Sequence, residues 1–282
     1  MQRPSSVEVV TWLNLDLRGE HDAIVHYLQH AWVLSPWGPT IMAIARDEMR
    51  HLKWLAHTIV RLGGTPDLTP PPIRRDADPL AQDEAAEAVA IEQYRRHRAD
   101  IPDPAIQSLL DRIVIDEEDH LRQFRALREK AGAVPLAPSS ELDPEARAFQ
   151  PSLTQLMGCE YAAVLSALHR AFQRLPAPRT GIDWEDQAVE EMHHLSWAAE
   201  TLARHGLTPE WPEPAPGDSR DEAQRWEMLA RAAHAWDPEA AALAHRAARR
   251  EALEAHPPRR DRSATVGSLA TGRDWVEEEV RP

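Results

Sequence analysis

The sequence predicts an all-α protein made of two tandem four-helix bundles, each built from two helical hairpins joined by a long crossover. Apolar residues recur at helical spacing in eight long runs. The 24 prolines fall mostly in clusters between these runs, where they mark connections. The second half also repeats features of the first half. A chain of 282 residues is long enough for two domains with cores of their own.

The first half contains four predicted helices, at 6–34, 40–62, 80–100 and 105–132. The segment "SPWGP" turns the first pair and "IPDP" turns the second pair. The proline-rich segment "TPDLTPPPIRRDADP" connects the two pairs as a long crossover. This connectivity is one of those known for four-helix bundles, so we assign residues 1–132 to the first bundle.

The second half repeats this plan after a predicted linker at 133–151. Helices are predicted at 152–175 and 184–205, followed by two more that Asp237-Pro238 separates. Four features of the first half recur 143 positions later, namely Glu48, His51, Trp54 and Thr65-Pro66 as Glu191, His194, Trp197 and Thr208-Pro209. A repeat of this length indicates a second bundle, at 152–256, with a tail at 257–282.

Composition and charge exclude several classes of protein. The net charge of −14 leaves no basic excess for nucleic-acid phosphates, so no nucleic-acid partner is expected. No run approaches 18 consecutive apolar residues, so no membrane partner is expected either. Cys159 is the single cysteine and cannot form an internal disulfide, and no signal peptide is recognisable. We therefore expect a cytoplasmic protein.

Two Glu-His pairs are predicted on the second and fourth helices. Glu48 and His51 occur in "DEMRH", and Glu117 and His120 occur in "DEEDH". Residues three apart share a helix face, so each pair points to one side. One such pair is a weak signal, because it also arises by chance.

Carboxylates of all four helices are predicted at one level of the first bundle. Residues equally far from a hairpin turn lie side by side, because both helices rise about 1.5 Å per residue. By this argument Glu92 lies level with Glu117 across "IPDP". Glu20 likewise lies level with Glu48, to within about one helical turn. Burying even one ion costs several kcal/mol, so four buried carboxylates indicate two divalent cations.

These segments resemble a known family. The stretch "LNLDLRGEHDAIVHYLQHAW…WG", followed by "DEMRH" and "DEEDH", resembles bacterioferritin, within the ferritin-like di-iron carboxylate proteins, over about the first 130 residues. The resemblance implies a ligand set of bridging Glu48 and Glu117, terminal carboxylates Glu20 and Glu92, and terminal nitrogen ligands His51 and His120. It also implies that Asp47 and Asp116 orient the histidines, and that Tyr27 lies over the site as a catalytic residue.

The implied chemistry is oxidation of Fe(II) by oxygen or peroxide. Carboxylates with one imidazole per metal suit two iron ions, with manganese as an alternative. Bacterioferritin has one bundle per chain and assembles into a hollow shell, so this double bundle is not expected to store iron in a cage. A homo-oligomer of another kind is compatible with the sequence. The alternatives are a di-iron oxygenase of an organic substrate, a manganese catalase and a non-enzymatic helical scaffold.

The second bundle has a less complete set of candidate ligands, namely Glu160, Glu191, His194, Glu227, Glu251 and Glu254. Glu254 stands where His120 does in the first bundle, and Arg250 stands where Asp116 does. Trp226 takes the position of Glu92, with Glu227 beside it. A degenerate bundle kept for packing is favoured over a second metal site.

A few other residues are assigned to packing or to the surface. The resemblance places a haem-ligating methionine at Met49, and Met192 occupies the same position in the second bundle. Core packing is the favoured interpretation of both, and haem is not expected. Glu87, Glu118 and Glu190 are expected on solvated helix faces.

Overall fold

The computed structural model describes residues 4–34, 36–73, 78–132, 144–173, 183–215, 219–234 and 237–255. Within these ranges the chain forms eight α-helices: α1 (Ser6–Val33), α2 (Gly38–Arg61), α3 (Pro79–Asp100), α4 (Pro104–Ala131), α5 (Pro144–Gln173), α6 (Trp184–Arg204), α7 (Ser219–Ala233) and α8 (Pro238–Ala255). Helices α1–α4 form one bundle and α5–α8 form another, which confirms the predicted fold class. None of the described helices combines the length and apolar character needed to cross a membrane.

Local sequence signals set the helix ends. Ser5 and Glu8 form a capping box at the start of α1. The side chain of Asp103 accepts hydrogen bonds from the backbone N–H groups of Ala105 and Ile106 at the start of α4. Proline occupies one of the first two positions of α2, α3 and α4, where no intrahelical N–H donor is needed. The predicted bounds of α1–α4 and α6 agree with these helices to within two residues.

Helix α5 begins earlier than the sequence predicted. It starts at Pro144, inside the segment 133–151 that was predicted as a linker, and it contains Pro151. The predicted start at Ser152 relied on proline removing a helical hydrogen bond, but the exposed position of Pro151 tolerates that loss. Residues 133–143 and the predicted tail at 257–282 lie outside the described residues.

Each bundle consists of two tightly packed hairpins. In the first bundle α1 packs on α2 and α3 packs on α4, and α1–α3 and α2–α4 contacts join the two hairpins. Helices α5–α8 repeat this pattern. The α1–α2 turn requires glycine at position 38, because a Cβ there would clash with the carbonyl oxygen of Ala31.

The two bundles pack against each other through reciprocal contacts. Helix α1 contacts α6, and α2 contacts α5, as expected of two repeats related by an approximate twofold axis. The indole rings of Trp32 and Trp211 stack with 5.5 Å between centroids. The hydroxyl of Tyr161 lies 2.9 Å from Nε2 of His21. One apolar core therefore extends through both bundles.

A polar contact near the start of α6 adds to this interface. The carboxylate of Glu185 lies 2.5 Å from Nζ of Lys53 and 2.7 Å from Nε2 of His57, both on α2. Burial alone would raise the pKa of Glu185, but the hydrogen bonds from His57 and Lys53 outweigh it and lower this pKa to about 2. The contact is therefore made by an ionised carboxylate.

We predict that Glu185→Gln lowers the urea midpoint of unfolding at pH 7, because it removes the charge that Lys53 and His57 share. The folded pKa lies below the ordinary value of 4.5, so this stabilisation is complete above that pH and disappears as the pH falls toward about 2. The control is Asp186→Asn. Burial and the charge of Asp183 raise the pKa of Asp186, so neutralising this side chain is not expected to destabilise the fold. A smaller decrease of the urea midpoint in Glu185→Gln than in Asp186→Asn would contradict the prediction.

Candidate metal centre

Six buried side chains of the first bundle converge as two overlapping groups. One group consists of Glu20, Glu48, His51 and Glu117, and the other consists of Glu48, Glu87, Glu117 and His120. Within each group one ligand atom per residue lies within 4.8 Å of all the others. Glu48 and Glu117 belong to both groups, which is the arrangement expected of carboxylates that bridge two ions.

The donor atoms of the two histidines point into this cluster. Nδ1 of His51 lies 2.9 Å from a carboxylate oxygen of Glu48 and 3.0 Å from one of Glu117. A carboxylate oxygen of Glu20 is 3.6 Å from the same nitrogen. Nδ1 of His120 lies 2.9 Å from the other oxygen of Glu48. The two imidazoles therefore contact different oxygens of Glu48.

The residues present fit a pair of divalent ions. Several buried atoms of the cluster make no hydrogen bond of suitable geometry with the described residues, although Oε1 of Glu48 and Nδ1 of His120 lie 2.9 Å apart: Oε1 of Glu48, Oε2 of Glu87, Oε1 of Glu117 and Nδ1 of His120. Leaving such atoms without a partner in a dry interior is costly. Four carboxylates and two imidazoles from four helices are a donor set suited to iron or manganese.

Two aspartates orient the histidines from outside the cluster. Nε2 of His51 lies 3.4 Å from Oδ2 of Asp116, and Nε2 of His120 lies 3.4 Å from Oδ2 of Asp47. Each histidine thus pairs with the aspartate of the other helix. Such contacts favour the tautomer whose Nδ1 is free to bind a metal ion.

Two tyrosines hold the terminal carboxylates. The hydroxyl of Tyr27 donates a hydrogen bond to Oε1 of Glu87 over 2.6 Å, and the hydroxyl of Tyr94 donates one to Oε1 of Glu20. Burial and the neighbouring carboxylates raise the pKa of both phenols, so they remain protonated donors. The sequence expectation included Tyr27 but not Tyr94.

Glu92 is not part of the cluster, and its expected role as a ligand was wrong. Its side chain is exposed, whereas that of Glu87 is only 1% exposed. The two residues are five positions apart, so they point about 140° apart around α3. Glu87 and Glu117 both lie fifteen residues from Pro102 at the centre of the α3–α4 turn. Glu92 lies only ten residues from it, so it could not be level with Glu117.

An internal repeat within the first bundle could have identified Glu87. The pattern D-x₃-E-x₆-Y-x₂-H occurs in α1 and again 67 positions later in α3, as Asp16, Glu20, Tyr27 and His30 and as Asp83, Glu87, Tyr94 and His97. The two copies are joined by crossed contacts. Nδ1 of His30 lies 2.9 Å from Asp83, and Nδ1 of His97 lies 2.8 Å from Asp16. The repeat assigns Glu87, not Glu92, as the counterpart of Glu20.

The pKa shifts follow from burial and crowding. Burial, together with the charges of Glu117 and Glu48, raises the pKa of Glu20. Burial also opposes ionisation of Glu48, but the two imidazoles outweigh it and lower the pKa of Glu48. Burial likewise disfavours a charged His120, yet the nearby carboxylates raise its pKa to about 10. Without a cation the cluster holds protons instead, so metal binding releases protons.

The second bundle brings together four of its six candidate ligands, namely Glu160, Glu191, His194 and Glu251, all buried. Glu227 does not join them, and that expectation was wrong. Its carboxylate is on the surface, 3.0 Å from both Arg231 and His245, because the adjacent Trp226 occupies the inward-facing position of α7. The side chain of Glu254 lies outside the described residues.

The two methionines considered as haem ligands lie against the apolar core. Met49 and Met192 are half-buried and both pack against the main apolar cluster. Their surroundings are those of packing residues, in line with the favoured interpretation of the sequence.

We predict that Glu87→Gln weakens the binding of Fe(II) under anaerobic conditions by at least about tenfold at one of the two sites, because a neutral amide replaces a terminal carboxylate. Glu92→Gln on the same helix is the matched control and should bind Fe(II) like the wild type. Equilibrium titration with a competing chelator measures both. Loss of binding in Glu92→Gln with full binding in Glu87→Gln would contradict this ligand assignment.

Comparison with known proteins agrees with the first bundle. A family model described as "Ferritin-like domain" matches residues 11–133. Searches of curated proteins and of solved structures returned no match. The matched segment covers nearly all of α1–α4, so the first bundle is similar to ferritin-like domains, and the Glu/His cluster lies inside the matched segment.

Proposed function

We propose that the first bundle binds two iron ions and oxidises Fe(II) with oxygen or peroxide. The observation that carries the proposal is the pair of overlapping buried clusters that share Glu48 and Glu117. A donor set rich in carboxylates favours Fe(III) over Fe(II), because anionic oxygens stabilise the higher charge. Iron is therefore both bound and made easier to oxidise at this site.

Two Fe(II) ions can supply the two electrons that the oxidant takes up. Each Fe(II) substrate ion gives up one electron. Two such ions supply the pair of electrons that, with two protons, reduces one oxygen molecule to hydrogen peroxide or one hydrogen peroxide to two molecules of water. Two sites that share bridging carboxylates keep both electron donors beside one oxidant, which supports a two-electron reaction.

The surrounding residues keep the ligands in place. Tyr27 and Tyr94 each fix one oxygen of a terminal carboxylate, which leaves the other oxygen for the ion. Tyr27 also packs against Phe124, with 5.0 Å between ring centroids, in the buried core next to the cluster. We assign Tyr27 as a proton-holding group beside the proposed reaction, in keeping with its contact with Glu87 and its raised pKa.

A cavity of about 340 Å³ between α1 and α3 reaches the cluster. Its wall includes Glu20, Tyr27, Tyr94 and Glu117 at the inner end and Asp22 nearer the surface. A wall lined with carboxylates raises the local concentration of cations. We propose this cavity as the route by which Fe(II) reaches the site.

The same cavity favours a second candidate function, the oxidation of a small organic substrate. Its volume lies within the range of pockets that bind small molecules. Ala23, Ala86, Val89 and Ala90 give it an apolar wall. A di-iron oxygenase would place its substrate here, beside Glu20 and Tyr94.

Aerobic addition of Fe(II), followed by the absorbance of Fe(III), tests the first function. The wild type should oxidise Fe(II) at least about tenfold faster than buffer alone, and Glu117→Gln should lose most of this acceleration because it removes a bridging charge. Glu118→Gln is the matched control, since Glu118 is exposed and bonded to Arg95, and should keep full activity.

The outcomes separate the candidates. Equal rates for the wild type and Glu117→Gln would contradict ferroxidase activity. A protein that binds two iron ions but oxidises added Fe(II) no faster than buffer would favour the organic substrate. Evolution of oxygen from peroxide with manganese bound would instead indicate a catalase.

A further inference from the structure

The second bundle contains a cluster that the proposed function does not use. Glu160 on α5, Glu191 and His194 on α6 and Glu251 on α8 each offer one ligand atom, and these atoms lie within 4.8 Å of one another. We propose that these four side chains bind a single divalent metal ion, so that the chain holds one dinuclear and one mononuclear centre. This inference does not depend on the reaction proposed for the first bundle.

The imidazole of His194 lies at the centre of the cluster. Its Nδ1 is 3.1 Å from Oε1 of Glu251, 3.4 Å from Oε2 of Glu160 and 3.5 Å from Oε2 of Glu191. All four side chains are at least 96% buried. Three carboxylates thus approach one nitrogen from three helices.

Hydrogen-bond donors outside the cluster occupy one carboxylate oxygen each of Glu160 and Glu191, which leaves the other oxygen of each glutamate for the ion. The indole N–H of Trp226 donates to Oε1 of Glu160 over 2.6 Å, and the side-chain amide of Gln187 donates to Oε1 of Glu191. The Oε2 atoms of both glutamates face His194 and have no hydrogen-bond partner among the described residues. Buried carboxylate oxygens of this kind are costly unless a cation binds them.

The charge of the cluster also favours a divalent ion. Three carboxylates with a protonated His194 would leave two net negative charges in the core. A divalent ion with neutral His194 would leave one net negative charge and would also contact both unpartnered oxygens. Three oxygen ligands and one nitrogen suit Mn(II), Fe(II) or Zn(II).

The composition of α7 explains why one ion and not two is proposed. In the first bundle α3 and α4 supply Glu87 and His120 to the second half of the centre. In the second bundle the fully buried Trp226 of α7 lies against His194, with 6.2 Å between ring centroids, while Glu227 is on the surface. Among the described residues, one imidazole therefore faces this cluster.

Zinc content of the full chain tests the proposal. Protein stripped with a chelator, loaded with Zn(II) and desalted should hold about three ions per chain. His194→Ala should lose one ion and keep the other two. The exposed neighbour His193 provides the matched control, and His193→Ala should keep all three. Glu191→Gln, nearly isosteric with the wild type, gives a second test should His194→Ala fail to fold.

The zinc contents of these variants and of Glu117→Gln distinguish the mononuclear site from the dinuclear centre. Unchanged zinc content in folded His194→Ala or Glu191→Gln would overturn the proposal, and so would a loss of two ions, which would indicate a dinuclear site. A single ion that disappears in His194→Ala but remains in Glu117→Gln would support this site while contradicting the dinuclear centre. A wild type that holds two zinc ions, both lost in Glu117→Gln and neither lost in His194→Ala, would overturn this proposal and leave the proposed function standing.

Discussion

Mutual repulsion of buried carboxylates is the constraint on which the first bundle depends. Four glutamates and two histidines lie in the core between helices that are otherwise packed by apolar residues. Each ion removed from water costs on the order of several kcal/mol, and the attraction within an ion pair recovers this only when geometry is favourable. The surrounding hydrogen bonds, from Tyr27 and Tyr94 inside and to Asp47 and Asp116 outside, keep donor atoms turned toward a common centre. Such an arrangement is tolerable when cations occupy that centre.

Internal symmetry explains how one chain builds this centre. The two hairpins of the first bundle carry the same pattern, and their contacts cross from one hairpin to the other, as in the pairs His30–Asp83 and His97–Asp16. The second bundle retains one half of the arrangement, with Glu160, Glu191, His194 and Glu251 in the places of Glu20, Glu48, His51 and Glu117. The buried Trp226 of α7 donates a hydrogen bond to Glu160, as Tyr94 of α3 does to Glu20.

The sequence predicted the helices well because their ends carry local signals. Caps such as Ser5 and Asp103, and prolines at first turns, act over a few residues and are visible without a structure. The start of α5 was placed too late because an exposed proline can lie within a helix. In the site, spacing along one helix identified Glu48, His51, Glu117 and His120, whereas the ligand on α3 depended on the exact level of a neighbouring hairpin arm. An error of five residues there exchanged buried Glu87 for exposed Glu92.

Thermal unfolding of chelator-treated protein with and without Zn(II) tests the central claim most directly. A ligand at about 100 times its dissociation constant stabilises the folded state by about 2.7 kcal/mol, which corresponds to a rise in Tm of roughly 5 °C for a chain of this size. We expect such a rise, because the ion relieves repulsion among Glu20, Glu48, Glu87 and Glu117. An unchanged Tm, with all four carboxylates present, would contradict the account.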